Sequence, residues 1–297
     1  MNMIAFFGAL ESGLIYALMA LGVLISFRIL DFPDLTADGS FPLGGAVAGV
    51  AIVAGLNPWL ACAFGMMAGM MAGMMTAWLH VKLGILHLLA GILMMTALYS
   101  VNLRIMNAPN LPLLGQPTVF TPFVDGGNGF WVRVAVVAGV VLLVKLALDW
   151  FFSTETGLAM RATGSNLRMA QAQGINTPWM IILGMAISNG LIALSGALFV
   201  QTQGFADVSM GIGTIVIGLA AVIIGEAVIS AKRIFWMTLA VVIGAILYRL
   251  FVQIALSSDL LRDIGFKSQD LNLVTSLLVV IVLLLPKIKS KLLAKKA

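Results

Sequence analysis

Long apolar runs recur along this chain from one end to the other, and they constrain its fold more than any other feature. A helix needs about 20 such residues to cross the hydrocarbon core of a bilayer. Runs of that kind cover residues 4–27, 42–57, 58–79, 84–104, 130–152, 178–201, 211–230, 234–256 and 270–286, the second of them short. Only 10% of the residues are charged, and the mean hydropathy is +1.08. A soluble domain carries about a quarter. The pattern predicts an all-α transmembrane bundle of about nine spans (8–10), a single domain over residues 1–297 embedded in the lipid bilayer. Composition excludes a disordered chain, a disulfide scaffold and a nucleic-acid binder.

The opening "MNMIAFFGALESGLIYALMALGVLISF" is too long for a signal-peptide core and lacks a basic leader, so it reads as a retained first span. Basic residues orient the bundle. The tail, residues 286–297, holds five of the lysines, and Lys232, Arg233, Arg161, Arg168, Lys145, Lys82 and Arg28 fall on the same side. Those make twelve of the seventeen basic residues, so that side is read as cytoplasmic and the N-terminus as outside. The expected location is the inner or plasma membrane.

One segment breaks the apolar pattern. "GLAMRATGSNLRMAQAQG", residues 157–174, lies in a predicted cytoplasmic loop over 153–176. Residues 157–163 and 166–173 read as short helices joined by a turn at Gly164, Ser165 and Asn166, with Ser165 or Asn166 capping the second. Gly174 suits the position after a helix end, and Thr177 before Pro178 suits the cap of the next span. Arg161, Arg168, Gln171 and Asn166 offer directional contacts at the rim of such a platform, which suits a soluble partner.

Two further polar breaks sit beside spans, "FPDLTADGS" at 32–40 and "FADVS" at 205–209. Phe32, Asp34, Leu35 and Thr36 match Phe205, Asp207, Val208 and Ser209 in spacing, and similar apolar runs precede both. An inverted repeat relating spans one to four to spans six to nine would place them so. Irregular backbone at membrane depth is tolerated only where protein or a water-filled cavity covers it. Asp31, Asp34, Thr36, Asp38, Asp207 and Ser209 are therefore candidates for lining or gating a path. Helix capping, with Asp38 or Ser40 serving the helix at Pro42, is the competing role. Glu11 and Glu226 are acids within apolar runs, and such groups usually face a bundle interior or a cavity. Glu226 also lies near Lys232 and can pair locally. Asn189, Ser188 and Ser195 can hydrogen-bond between helices.

Gly65, Gly69 and Gly73 share one helix face and admit close helix packing. The methionines between them fill gaps. A copper path would need His or Cys partners that the run lacks, so no metal site is expected. Cys62 sits in an apolar run and reads as packing, and His80 and His87 flank a short loop as interface residues.

The residues Gly157, Ala159, Arg161, Ala162, Gly164, Asn166, Ala170, Gly174 and Ile175 resemble the coupling-helix segment of ABC-importer permeases in the branched-chain amino-acid and sugar permease superfamily. "YALMALGVLISFRILDFPDLTADGSFPLGGA" and "LSGALFVQTQGFADVSMGIGTIVIGLAAVIIGE" resemble other parts of that family. Within it, "LDFPDLTADGSFP" looks most like permeases grouped with tryptophan/tyrosine-type importers. The resemblance implies a permease, in a homodimer, forming the path for a small organic solute such as an aromatic or other amino acid. It implies ATP and Mg on separate ATPase subunits, and an extracytoplasmic solute-binding protein. Consistent with a non-enzyme, the sequence has no G-x-x-x-x-G-K-[ST] motif for nucleotide phosphates. A proton-coupled secondary transporter using the intramembrane acids is the alternative. A membrane enzyme would need a catalytic cluster that the sequence does not show.

Overall fold

A computed structural model describes residues 3–124, 129–229, 233–257 and 280. The elements run α1 (Met3–Val23), a π-helical turn (Leu24–Ile29), α2 (Ala37–Val53), α3 (Pro58–Leu83), α4 (His87–Met106), β1 (Asn110–Pro112) and α5 (Thr121–Val124). They continue with α6 (Gly129–Ser153), α7 (Glu155–Ser165), α8 (Leu167–Ala172), α9 (Thr177–Gln203), β2 (Phe205–Asp207), a 3-10 turn (Val208–Gly211), α10 (Thr214–Val228) and α11 (Ile234–Ser257).

Eight of the nine expected spans coincide with these helices, and the ninth, 270–286, lies outside the described residues except for Val280. Seven described segments are long and apolar enough to cross a membrane, while Ala37–Val53 is shorter. The second helix thus starts at residue 37 rather than 42 and the fourth at 87 rather than 84. The all-α bundle carries one small exception that the apolar pattern could not show. Asn110–Pro112 pairs antiparallel with Phe205–Asp207 at the end opposite α7 and α8. These two ends are called below the strand end and the α7–α8 end.

α1 is the central post. From residue 13 to its end it is buried continuously, with apolar side chains all round, and it packs against α6, α9, α10 and α11. The α9 hydroxyls fasten to its backbone: Ser188 Oγ donates to the Gly22 carbonyl and Ser195 Oγ to that of Ile15, both at 2.7 Å. The glycine face of α3 lies against α9 and α2. A Cβ at Gly69 or Gly73 would overlap the Asn189 or Met185 carbonyl, and one at Gly65 would meet that of Gly44. Only glycine lets these backbones come so near.

α2 and α10 do not span on their own. Residues 32–36 turn back into the protein, so that Asp34 reaches Asn189 near the middle of the 27-residue α9. From there the 17 residues of α2 run toward the strand end, where Gly49 lies near Leu111 and Ala206. After β2 the chain also folds inward, and the 15-residue α10 runs the opposite way, ending beside Arg28 at the α7–α8 end. At 1.5 Å per residue each reaches about 22–26 Å, short of the roughly 30 Å core. The two half-length helices meet with their N-terminal ends. His80 and His87, at the α7–α8 end, pack their rings against Phe32 and each other.

Candidate functional site

The first break is held by a buried polar chain. Asp34 Oδ1 accepts the Thr36 backbone N–H at 2.8 Å, and Asp34 Oδ2 accepts Asn189 Nδ2 at 2.7 Å. Asn189 Oδ1 in turn accepts Ser40 Oγ at 2.7 Å, and the Thr36 and Thr76 hydroxyls pair at 2.9 Å. All five side chains are buried. This network satisfies an irregular backbone where water is scarce, as such backbone requires.

Asp38 does not cap its own helix. It stands in the first turn of α2, but its bonds go to the start of α10: Oδ2 accepts the Gly213 N–H at 3.1 Å, and Oδ1 accepts the Thr214 hydroxyl and the Ile215 N–H, both at 2.9 Å. Neither Asp38 nor Ser40 caps α2, whose cap residue Thr36 makes no side-chain cap bond. The carboxylate therefore bonds the N-terminus of α10 while standing in the first turn of α2, and each of those helix ends carries partial positive charge. No local signal could show this, because the partner is some 175 positions away.

At the second break Asp207 Oδ1 accepts the Ser209 backbone N–H at 2.7 Å and also bonds its hydroxyl. Asp207 caps the 3-10 turn while its backbone pairs with Asn110. Asp31 is exposed, with φ of 52°. Glu11 is half-buried in α1, and its Oε1 has no hydrogen-bond partner among the described residues. Glu226 accepts Arg28 Nε at 2.8 Å, tying the end of α10 to the π-helical turn after α1. The pairing shown is thus distant in sequence, and Lys232 lies outside the described residues.

The polar island folds as two short helices with a sharp joint. Asn166 Oδ1 accepts the Met169 N–H at 3.0 Å and caps α8, while Ser165 closes α7 by donating to the Ala162 carbonyl. Gly164 is inside α7 rather than in the turn. A Cβ there would overlap the Ile29 carbonyl, so α7 rests directly on the chain leaving α1. A Cβ at Gly157 would likewise overlap the Phe151 carbonyl. Gly174 has φ of 79°, a left-handed conformation that glycine adopts freely. Gln171 Nε2 donates to Thr177 Oγ1 at 2.9 Å. The cap of α9 is Asn176, whose side chain accepts the Trp179 N–H, and not Thr177.

Met160 and Ala170 are buried, whereas Leu158, Leu167 and Met169 are exposed on the platform beside the exposed Arg168. Arg161, half-buried, lines an open cavity of about 460 Å³ together with Arg28 and Ser165. The exposed apolar trio was not singled out from the sequence. Apolar residues within a segment otherwise polar are the signal that could have found it.

A family model described as the permease component of branched-chain amino acid transport systems matches residues 5–285. The chain belongs to that family. It is the multi-pass membrane permease component of an ABC transporter. The chain is 37% identical over 271 residues to a tyrosine transport system permease protein of Clostridioides difficile, covering 91% of this chain and 88% of that one. It is 25% identical over 214 residues to an autoinducer 2 import system permease protein of Photorhabdus luminescens, covering 68% and 60%. Among solved structures, a metal-chelate-type ABC transporter in an inward-facing conformation shares the fold with a TM-score of 0.50. Their identity is 15%, over 96% of this chain and 85% of that one.

Proposed function

We propose that this permease forms the path of an ATP-driven importer of a small organic solute, and that an amino acid is the cargo. The tyrosine transport relative supports the cargo class. In this reading a separate ATPase subunit carries ATP and Mg, an extracytoplasmic solute-binding protein delivers the solute, and two copies of the chain form the membrane unit. The basic α7–α8 end faces the cytoplasm, with the N-terminus outside.

The observation that carries the reading is the α7–α8 platform. One side is locked to α1 through Gly164 and Ile29; the other presents Leu158, Leu167 and Met169 around Arg168. Exposed apolar side chains with a neighbouring cation suit the surface of a protein partner. A push on α7 reaches Ile29 and Arg28, then Glu226 through their ion pair, then α10 as a rod. The far end of that rod is held by Asp38 of α2. Motion at the platform is thereby delivered to the middle of the bundle, where the two half-length helices meet.

Four of the acids that the proton-coupled alternative needs are already engaged, which leaves it Glu11 and the exposed Asp31. Asp34, Asp38, Asp207 and Glu226 are each engaged in hydrogen bonds or an ion pair.

The test is purification of the chain from its own membranes, beside Leu167→Asp and Met169→Asp variants. The wild type is expected to bring down a P-loop ATPase, and the two variants to lose it while remaining folded. Wild-type chain that arrives without an ATPase subunit would overturn the reading.

A further inference from the structure

A cavity of about 230 Å³ lies between α2, α4 and the turn leading into α10, at the level where the half-length helices begin. Asp38, Met95, Thr96, Tyr99, Asn102 and Ile212 are among its walls, and among the described residues no lysine, arginine or histidine lines it. Cavities for drug-sized ligands run to about 300–1,000 Å³, so this one suits a small solute.

Asp38, Asn102 and Thr96 bring acceptor oxygens to it. Asn102 is fully buried, and its Nδ2 donates to the Gly39 carbonyl at 3.3 Å, which sets the direction of the amide. That leaves Asn102 Oδ1 buried with no hydrogen-bond partner among the described residues. A buried acceptor without a donor is costly and calls for an explanation. A carboxylate has about four acceptor positions. The Gly213, Thr214 and Ile215 bonds fill three of those on Asp38, which leaves one on Oδ2. The Thr96 hydroxyl gives its proton to the Leu93 carbonyl and keeps its lone pairs. The ring of Tyr99, 54% exposed, stands on the cavity's open side with Ile212.

Paired helix N-termini would ordinarily draw an anion. Here Asp38 already occupies and balances that position, so the wall offers a free carboxylate acceptor position, the unpaired Asn102 oxygen and an aromatic face. Those three together select an ammonium group, with ring and apolar contacts for the body that carries it.

We propose that this cavity is a binding site for small primary amines bearing an apolar or aromatic body, with the ammonium held between Asp38 and Asn102 Oδ1. The proposal rests on the permease reading above and adds the end of the solute that the protein grips.

The test uses the full chain in lipid nanodiscs, titrated calorimetrically with tyramine, L-tyrosine and the deaminated acid 3-(4-hydroxyphenyl)propionate. Tyramine and L-tyrosine are expected to bind, and the acid to bind at least tenfold more weakly. Asn102→Leu and Tyr99→Ala are each expected to weaken tyramine about tenfold. Tyr99 is exposed, so its variant keeps the test open if the Asn102 variant does not fold. Absent amine binding, equal affinity for the acid, or unchanged affinity in the Tyr99 variant overturns the site. Wild-type chain that co-purifies with an ATPase but binds no amine removes the site alone. Chain that binds amines without any ATPase removes the coupling reading alone.

Discussion

The two breaks, 32–36 and 205–209, share a pattern of Phe, Asp, aliphatic residue and hydroxyl, and share the local structure it dictates. In each, the aspartate Oδ1 accepts the backbone N–H two residues on, at 2.8 Å for Thr36 and 2.7 Å for Ser209. This turn needs only neighbouring atoms, so the same residues make it twice. Beyond it the two part. Asp34 is 1% exposed and gives its second oxygen to Asn189, whereas Asp207 is half-buried at the strand end, where its backbone pairs with Asn110. Chemistry within a few residues repeats; depth in the protein decides what it is worth.

The comparison can be pressed hardest at Asp34. Asp34→Ala strips a partner from the buried Thr36 N–H and from the Asn189 amide, and should cost about 3 kcal/mol or more in detergent-solubilised unfolding. Gly69→Leu drives a side chain into the Asn189 carbonyl, and overpacking of this kind costs about 1–3 kcal/mol. Because it shifts the residue that Asp34 binds, its effect should be less than additive with Asp34→Ala. Asp207→Ala removes a turn cap and should cost about 1 kcal/mol. It should add fully to Asp34→Ala, and marked coupling between those two would show that the breaks act as one unit. The smallest stability effect is expected for Arg28→Gln, under about 1 kcal/mol, since an exposed ion pair contributes little. That variant should nevertheless lower solute uptake per ATP hydrolysed in reconstituted vesicles, if the pair links α10 to the platform. Unchanged coupling would take Arg28 and Glu226 out of the proposed train of motion.

Much of this was legible beforehand because it is local. Apolar length marks the spans, Asn166 starts α8 as its side chain allows, and Gly174 sits where φ is positive. The small residues of α3 announce a close helix contact without naming its partner. The misreadings are those in which a side chain reaches across the fold. Asp38 beside Pro42 looks like the cap of its own helix, whereas its donors stand at the start of α10. Asn102, one of several polar residues in α4, carries no sequence signal of an unpaired buried oxygen.

By itself, then, the sequence determined a membrane-embedded helical permease with a capped polar platform. Hydrophobic length, turn chemistry and helix capping act over a few neighbouring residues, and each leaves its mark in order along the chain. Tertiary structure alone decided that α2 and α10 begin inside the protein and meet N-terminus to N-terminus. It also decided that Asp38 serves the second of them, and that α7 bears on Ile29. In a low-dielectric interior a carboxylate must find donors wherever they are. The donors that answered Asp38 were supplied by a helix far along the chain, brought near by packing.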